Sequence, residues 1–117
     1  MDKEFNYEEA KKNLFTKEEQ SKQEREADRQ LVLSRAIAAL NKEFNHSGVD
    51  VYLVGSILVP FAFSKHSDVD IVLKHFEGDR FDVWTKLEGQ IERNVEIILF
   101  ESCHFQELVL KNGFKVV

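Results

Sequence analysis

Apolar positions along the chain fall into short blocks whose spacing changes from helical to extended and back. Leu33, Ala36, Ile37, Leu40 and Phe44 recur at three- and four-residue intervals. That spacing predicts an amphipathic helix ending near Asn45-His46-Ser47-Gly48. A β-branched run follows, Val49–Val54, which reads as a first strand. After Gly55-Ser56, residues Ile57–Phe63 predict a short helix with Pro60 in its first turn. Lys65, His66 and Ser67 read as a polar loop before a second strand, Val69–Leu73. Past Asp70 that strand is apolar on both sides, the mark of a central position in a sheet. Phe81, Trp84, Leu87 and Ile91 predict one face of another helix, with Asp79 as its N-cap. Val95–Phe100 reads as a third strand, with Glu96 on the face of Ile98 and Phe100. Phe105, Leu108 and Val109 predict a last helix stopped by Asn112-Gly113, and Phe114–Val117 a short final strand.

The N-terminal quarter is patterned differently. Phe5, Tyr7, Ala10, Leu14 and Phe15 stand among charges in residues 1–15, as in a short amphipathic helix or a mobile end. Thr16 with Glu19 fits a capping box and predicts a fresh helix start. From Lys17 to Gln30 the only apolar residue is Ala27, so this run reads as a solvated helix without a core face, or as an arm for a partner. The expected division is a polar helical or mobile extension over 1–30 and one domain over 31–117. Helices alternating with strands place that domain in the α/β class, a small sheet with helices packed on it.

Composition narrows the function classes. At 117 residues, 43% hydrophobic and 32% charged, the chain is a single ordinary globular domain. A net charge of −5 gives no electrostatic footprint for nucleic acid, which is therefore not expected as a partner. Cys103 is the single cysteine, so neither an intramolecular disulfide nor a Cys₄ zinc site can form. Four scattered histidines show no metal-ligand spacing. No apolar run approaches the ~18 residues of a membrane span, and Met1-Asp2-Lys3-Glu4 does not read as a signal peptide. A cytoplasmic location is expected.

The chemistry concentrates between residues 49 and 73. Asp68 and Asp70 stand at i and i+2, which in a strand puts both carboxylates on one face among Val, Ile and Leu. Two adjacent like charges in apolar surroundings favour a divalent cation with oxygen ligands, and Mg²⁺ needs only one or two carboxylates plus phosphate oxygens. Gly55-Ser56 at the preceding strand end offers close backbone approach and a hydroxyl. Together these read as a nucleotide–Mg²⁺ site.

Gly55-Ser56 followed by Asp68-x-Asp70, with a later acidic strand at Val95-Glu96-Ile97-Ile98-Leu99, resembles the signature of the polymerase-β-like nucleotidyltransferases, and in particular their minimal members. The resemblance runs from about residue 30 to the C-terminus. It implies the mixed-sheet nucleotidyltransferase fold. It also implies two Mg²⁺ ions held by Asp68, Asp70 and Glu96, with Glu96 completing the second ion's ligands or taking the nucleophile's proton. Gly55 and Ser56 would cradle the phosphates of a nucleoside triphosphate, ATP being favoured, with Ser67 and Lys65 as further nucleotide contacts. Family members often carry a basic residue just after Gly-Ser, where this chain has Ile57-Leu58-Val59-Pro60-Phe61. A phosphate-pairing cation would then come from Lys65, His66 or Lys74. The implied reaction transfers a nucleoside monophosphate to a hydroxyl acceptor. The implied partner is a small helical HEPN-type protein in a toxin–antitoxin-like pair, or a further copy of the chain. A second reading keeps the fold but leaves the nucleotide site idle, the protein acting by binding a partner.

Overall fold

The computed structural model describes residues 6–117, so Phe5 and the chain start lie outside the described residues. One helix, α1, runs without a break from Tyr7 to Phe44, 38 residues or about 57 Å. Asn6 caps it, its Oδ1 accepting the Glu9 N–H at 3.0 Å. The fresh start expected at Thr16 is therefore absent. Thr16 is interior to α1 and its hydroxyl donates back to the Lys12 carbonyl, a bond that competes with capping. Lys17–Gln30 is helical as expected, but Ala27 is exposed and Arg29 is buried.

Strands β1 (Asp50–Val54), β2 (Val69–Lys74), β3 (Val95–Leu99) and β4 (Phe114–Lys115) form one sheet in the order β3-β2-β1-β4. β1 pairs antiparallel with β2 and β4, whereas β2 and β3 run parallel. The mixed sheet and the central place of β2 agree with the sequence. Helix α2 (Arg80–Ile91) crosses between β2 and β3, and a short α3 (Gln106–Asn112) precedes β4.

Period-two alternation gives the sheet two faces. Val51, Leu53, Ile71, Leu73 and Ile97 pack against Val32, Ala36, Leu40 and Phe44 of α1 and Val83, Leu87 and Ile91 of α2. The opposite face carries a smaller cluster, Tyr52 and Val72 against Phe100 and Val109. Three details differ from the sequence reading. Val83, not Phe81, leads the buried stripe of α2, and Phe81 stands in solvent. The segment after β1 is a 3₁₀ turn, Gly55–Leu58, not a helix to Phe63; Pro60 has no N–H with which to carry the hydrogen bonding onward. Phe100 leaves β3 for a 3₁₀ turn over Phe100–Ser102.

β3 is an edge strand, and α2 covers its outward backbone groups. Trp84 Nε1 donates to the Val95 carbonyl at 2.8 Å and Arg80 Nη2 to the Ile97 carbonyl at 2.6 Å. The Glu88 carboxylate accepts the Val95 N–H at 2.8 Å.

Candidate active site

Asp70 and Glu96 are direct neighbours across the parallel β2–β3 pair, while Asp70 faces Val54 across the antiparallel β1–β2 pair. Both carboxylates project from the face opposite α1 and α2, as the alternation of the buried Val69 and Ile71 requires. Asp68 falls just before β2, which begins at Val69, so it is exposed loop and not a strand-face partner of Asp70. The Asp70 carboxyl is pushed up to about 6. Burial is the main cause, followed by the Glu96 carboxylate beside it and, more weakly, by Asp68.

Gly55 closes the site from the β1 side. Its φ is +84°, and a Cβ there would lie 2.6 Å from Asp70 Oδ2. No other residue permits both the left-handed backbone and that approach without displacing the carboxylate. The two carboxylates and Gly55 open into a cleft of about 570 Å³, whose other walls are Leu58, Val59, Phe105 and Leu108. The lining includes Gly55 but not Ser56, whose carbonyl instead accepts the Val59 N–H at 3.0 Å.

The remaining sequence candidates sit elsewhere. Lys65 and His66 line a separate cleft with Asp28 and Arg93. Ser67 Oγ accepts the Ser64 N–H at 2.9 Å and so staples its own loop. Lys74 shares the face of Asp70, but its ammonium lies over the Phe100 ring at 4.8 Å. Among the described residues, no Lys, Arg or His lines the carboxylate cleft.

Four residues that the sequence did not mark hold the loop joining Gly55 to Asp68. Arg29 Nη1 donates to the Ile57 carbonyl at 2.8 Å, and Glu26 accepts the Phe61 N–H at 2.6 Å while pairing with Arg29. Arg93 bonds Asp28 at 2.7 Å and the Ser64 carbonyl at 2.6 Å, its guanidinium 4.6 Å from the centre of the Phe63 ring. The polar run of α1 is thus the scaffold of the site's loop. An acid–base pair at i,i+3 was the available signal, but it is common on any solvated helix.

The donor set suits a hard cation. Two carboxylates on neighbouring positions of adjacent strands offer oxygen ligands of the kind Mg²⁺ takes alongside phosphate. Among the described residues no three His, Cys, Asp or Glu side chains converge closely enough to hold a metal by themselves. The expected set of Asp68, Asp70 and Glu96 around two ions is thus not assembled by these side chains alone: Asp70 and Glu96 are register neighbours, and Asp68 acts on Asp70 only through its charge.

No family model matches the chain, and no curated protein matches it. Among solved structures it is similar to a chain of the crystal structure of the toxin-antitoxin MntA-HepT, with 21% sequence identity and a TM-score of 0.49, covering 75% of this chain and 71% of that one.

Proposed function

We propose that this chain is a minimal nucleotidyltransferase, with the fold of that superfamily, that transfers a nucleoside monophosphate from a triphosphate, ATP favoured, to a hydroxyl acceptor. The observation that carries the reading is the pairing of Asp70 with Glu96 in register on adjacent parallel strands, beside a glycine whose missing Cβ leaves room for Asp70. A pair of like charges kept together at the mouth of a cleft costs stability, and a cation–phosphate ligand offsets that cost.

In this reading Asp70 and Glu96 hold the cation and Asp68 strengthens the local negative field. A bound Mg²⁺ would neutralise phosphate charge and lower the pKa of an attacking hydroxyl. Gly55 presents backbone to the phosphates, and Leu58, Val59, Phe105 and Leu108 give the cleft apolar walls. The acceptor oxygen bonds to the α-phosphorus, the bond from that phosphorus to the bridging oxygen breaks, and pyrophosphate leaves. Where Asp70 alone holds the cation, Glu96, exposed at the cleft, would instead take the acceptor's proton. The proposed acceptor-bearing partner, a HEPN-type helical protein, rests on the motif resemblance alone.

A second reading, an idle site in a binding protein, is favoured by the cleft's lack of a basic side chain among the described residues. Thermal unfolding with each nucleoside triphosphate, with and without Mg²⁺, separates the two. A ligand at ~100 times its Kd adds about 2.7 kcal/mol, several degrees in a domain of this size. A Mg²⁺-dependent shift for one nucleotide, lost in Asp68→Asn/Asp70→Asn, supports the transferase. If millimolar nucleotide produces no shift, the binding protein is the better reading.

A further inference from the structure

We propose that the N-terminal half of α1 pairs, antiparallel, with the same segment of a second copy of this chain. None of residues 7–25 is buried, and the first buried residue of α1 is Arg29. Tyr7, Leu14 and Phe15 nevertheless leave 67%, 61% and 63% of their surface in solvent. Three large apolar side chains on one stretch of projecting helix call for a cover.

The charges say which cover fits. On a helix, the residues three, four and seven positions from Phe15 share its face. They are Glu8, Lys11 and Lys12 before it, and Glu18, Glu19 and Lys22 after it. Reversing the chain direction about Phe15 exchanges every charge for its opposite. An antiparallel copy therefore sets Lys11 and Lys12 against Glu18 and Glu19, and Glu8 against Lys22, twice over. A parallel copy in register would set lysine against lysine and glutamate against glutamate. Among the described residues, no ion pair within 4.0 Å uses any of these six charges within one chain.

The two-fold axis then passes at Phe15, so the two Phe15 rings meet there. Leu14 of each copy falls on the same flank and joins them, while Tyr7 lies at the outer end of that flank. From Phe15 to Arg29 the helix rises about 21 Å, so the two globular bodies stand at opposite ends of the paired arms and their clefts do not touch. The inference is independent of the nucleotide site.

The test is the solution mass of the full chain by multi-angle light scattering at about 100 μM. The wild type should weigh about twice the 13.6 kDa of one chain. Lys11→Glu/Lys12→Glu and Glu18→Lys/Glu19→Lys should each halve that mass, because each places four like charges together across the axis. Mixing the two variants should restore the dimer, since every opposed pair is again matched; this also excludes misfolding as the cause of the single-variant losses. A monomeric wild type would overturn the proposal and leave the face to another protein. So would a dimer that both reversals leave intact, or a mixture that stays monomeric.

Discussion

The backbone of Gly55 lies so close to Asp70 that a methyl group on the glycine would come 2.6 Å from the Asp70 Oδ2 oxygen, at a φ of +84°. Two separate costs therefore attach to Gly55→Ala. The left-handed conformation costs roughly 1–2 kcal/mol for an L-residue. The contact adds a further cost that depends on whether the carboxylate can turn aside. Because Glu96 occupies the neighbouring position on β3, the room for that is small. Chemical denaturation should show a loss of about 2–3 kcal/mol. In the Asp70→Ala background the contact disappears, so Gly55→Ala should cost only its backbone share. Equal costs in both backgrounds would mean that the two residues do not interact.

Asp70→Asn should stabilise the protein at neutral pH. The folded carboxyl is raised from its ordinary 3.8 to about 6, so between these values the folded state binds more protons than the unfolded one. Stability therefore falls as pH rises from about 4 to about 6, and the penalty is complete above 6. Two units correspond to at most about 3 kcal/mol, and partial solvation of the group reduces this to roughly 1–2 kcal/mol. Urea midpoints measured from pH 4 to 8 should show a fall across that window in the wild type relative to Asp70→Asn, the difference between the two proteins growing from pH 4 to pH 6 and staying constant above it. A difference that shrinks as pH rises there would overturn the assignment.

Much of this arrangement is legible in the sequence. Strands β1, β2 and β3 and the stripes of α1 and α2 emerge from apolar spacing, because burying a face imposes a period. Asp68-x-Asp70 and Glu96 stand out because a carboxylate inside such a run has no packing reason to be there. What stays hidden is the part held by polar contacts between distant segments. Glu26 and Arg29 look like any solvated helical pair, and only the folded chain brings them to Ile57 and Phe61. The uninterrupted α1 is hidden for a related reason: Thr16 is a good cap in isolation, but inside a helix its hydroxyl bonds backwards to Lys12. Lys65 reads as a phosphate contact by position, whereas the loop carries it to a different cleft.

The β3 edge yields a prediction about aggregation. Trp84 and Arg80 occupy two carbonyls of an exposed edge, which otherwise would template pairing with another chain. Arg80→Ala/Trp84→Phe removes both donors while keeping an aromatic ring on α2. The expected loss is about 2 kcal/mol, one modest hydrogen bond each. The more telling readout is light scattering near the thermal midpoint, which should grow faster than for Arg80→Lys. Equal aggregation of the two variants would show that the edge does not depend on these side chains for protection.

Arg29 is where stability, the loop and acid sensitivity meet. Its guanidinium bonds the Ile57 carbonyl and pairs with Glu26, which in turn accepts the Phe61 N–H. The Arg29 pairing is the main reason that the Glu26 carboxyl is held down at about 2. The sign of this linkage is opposite to that of Asp70: the contribution is present above pH 4.5 and is lost as pH falls through about 2. Arg29→Met keeps the apolar stem but removes the donors, so it should cost about 2 kcal/mol for the charge-assisted bond to a buried carbonyl. It should also flatten the acid limb below pH 4.5, because Glu26 then titrates nearer its ordinary value. Glu26→Gln should flatten the same limb while leaving the Ile57 bond in place. Equal neutral-pH losses in the two variants would assign the stability to the ion pair, whereas a larger loss in Arg29→Met would assign it to the bond that anchors the loop beside Gly55.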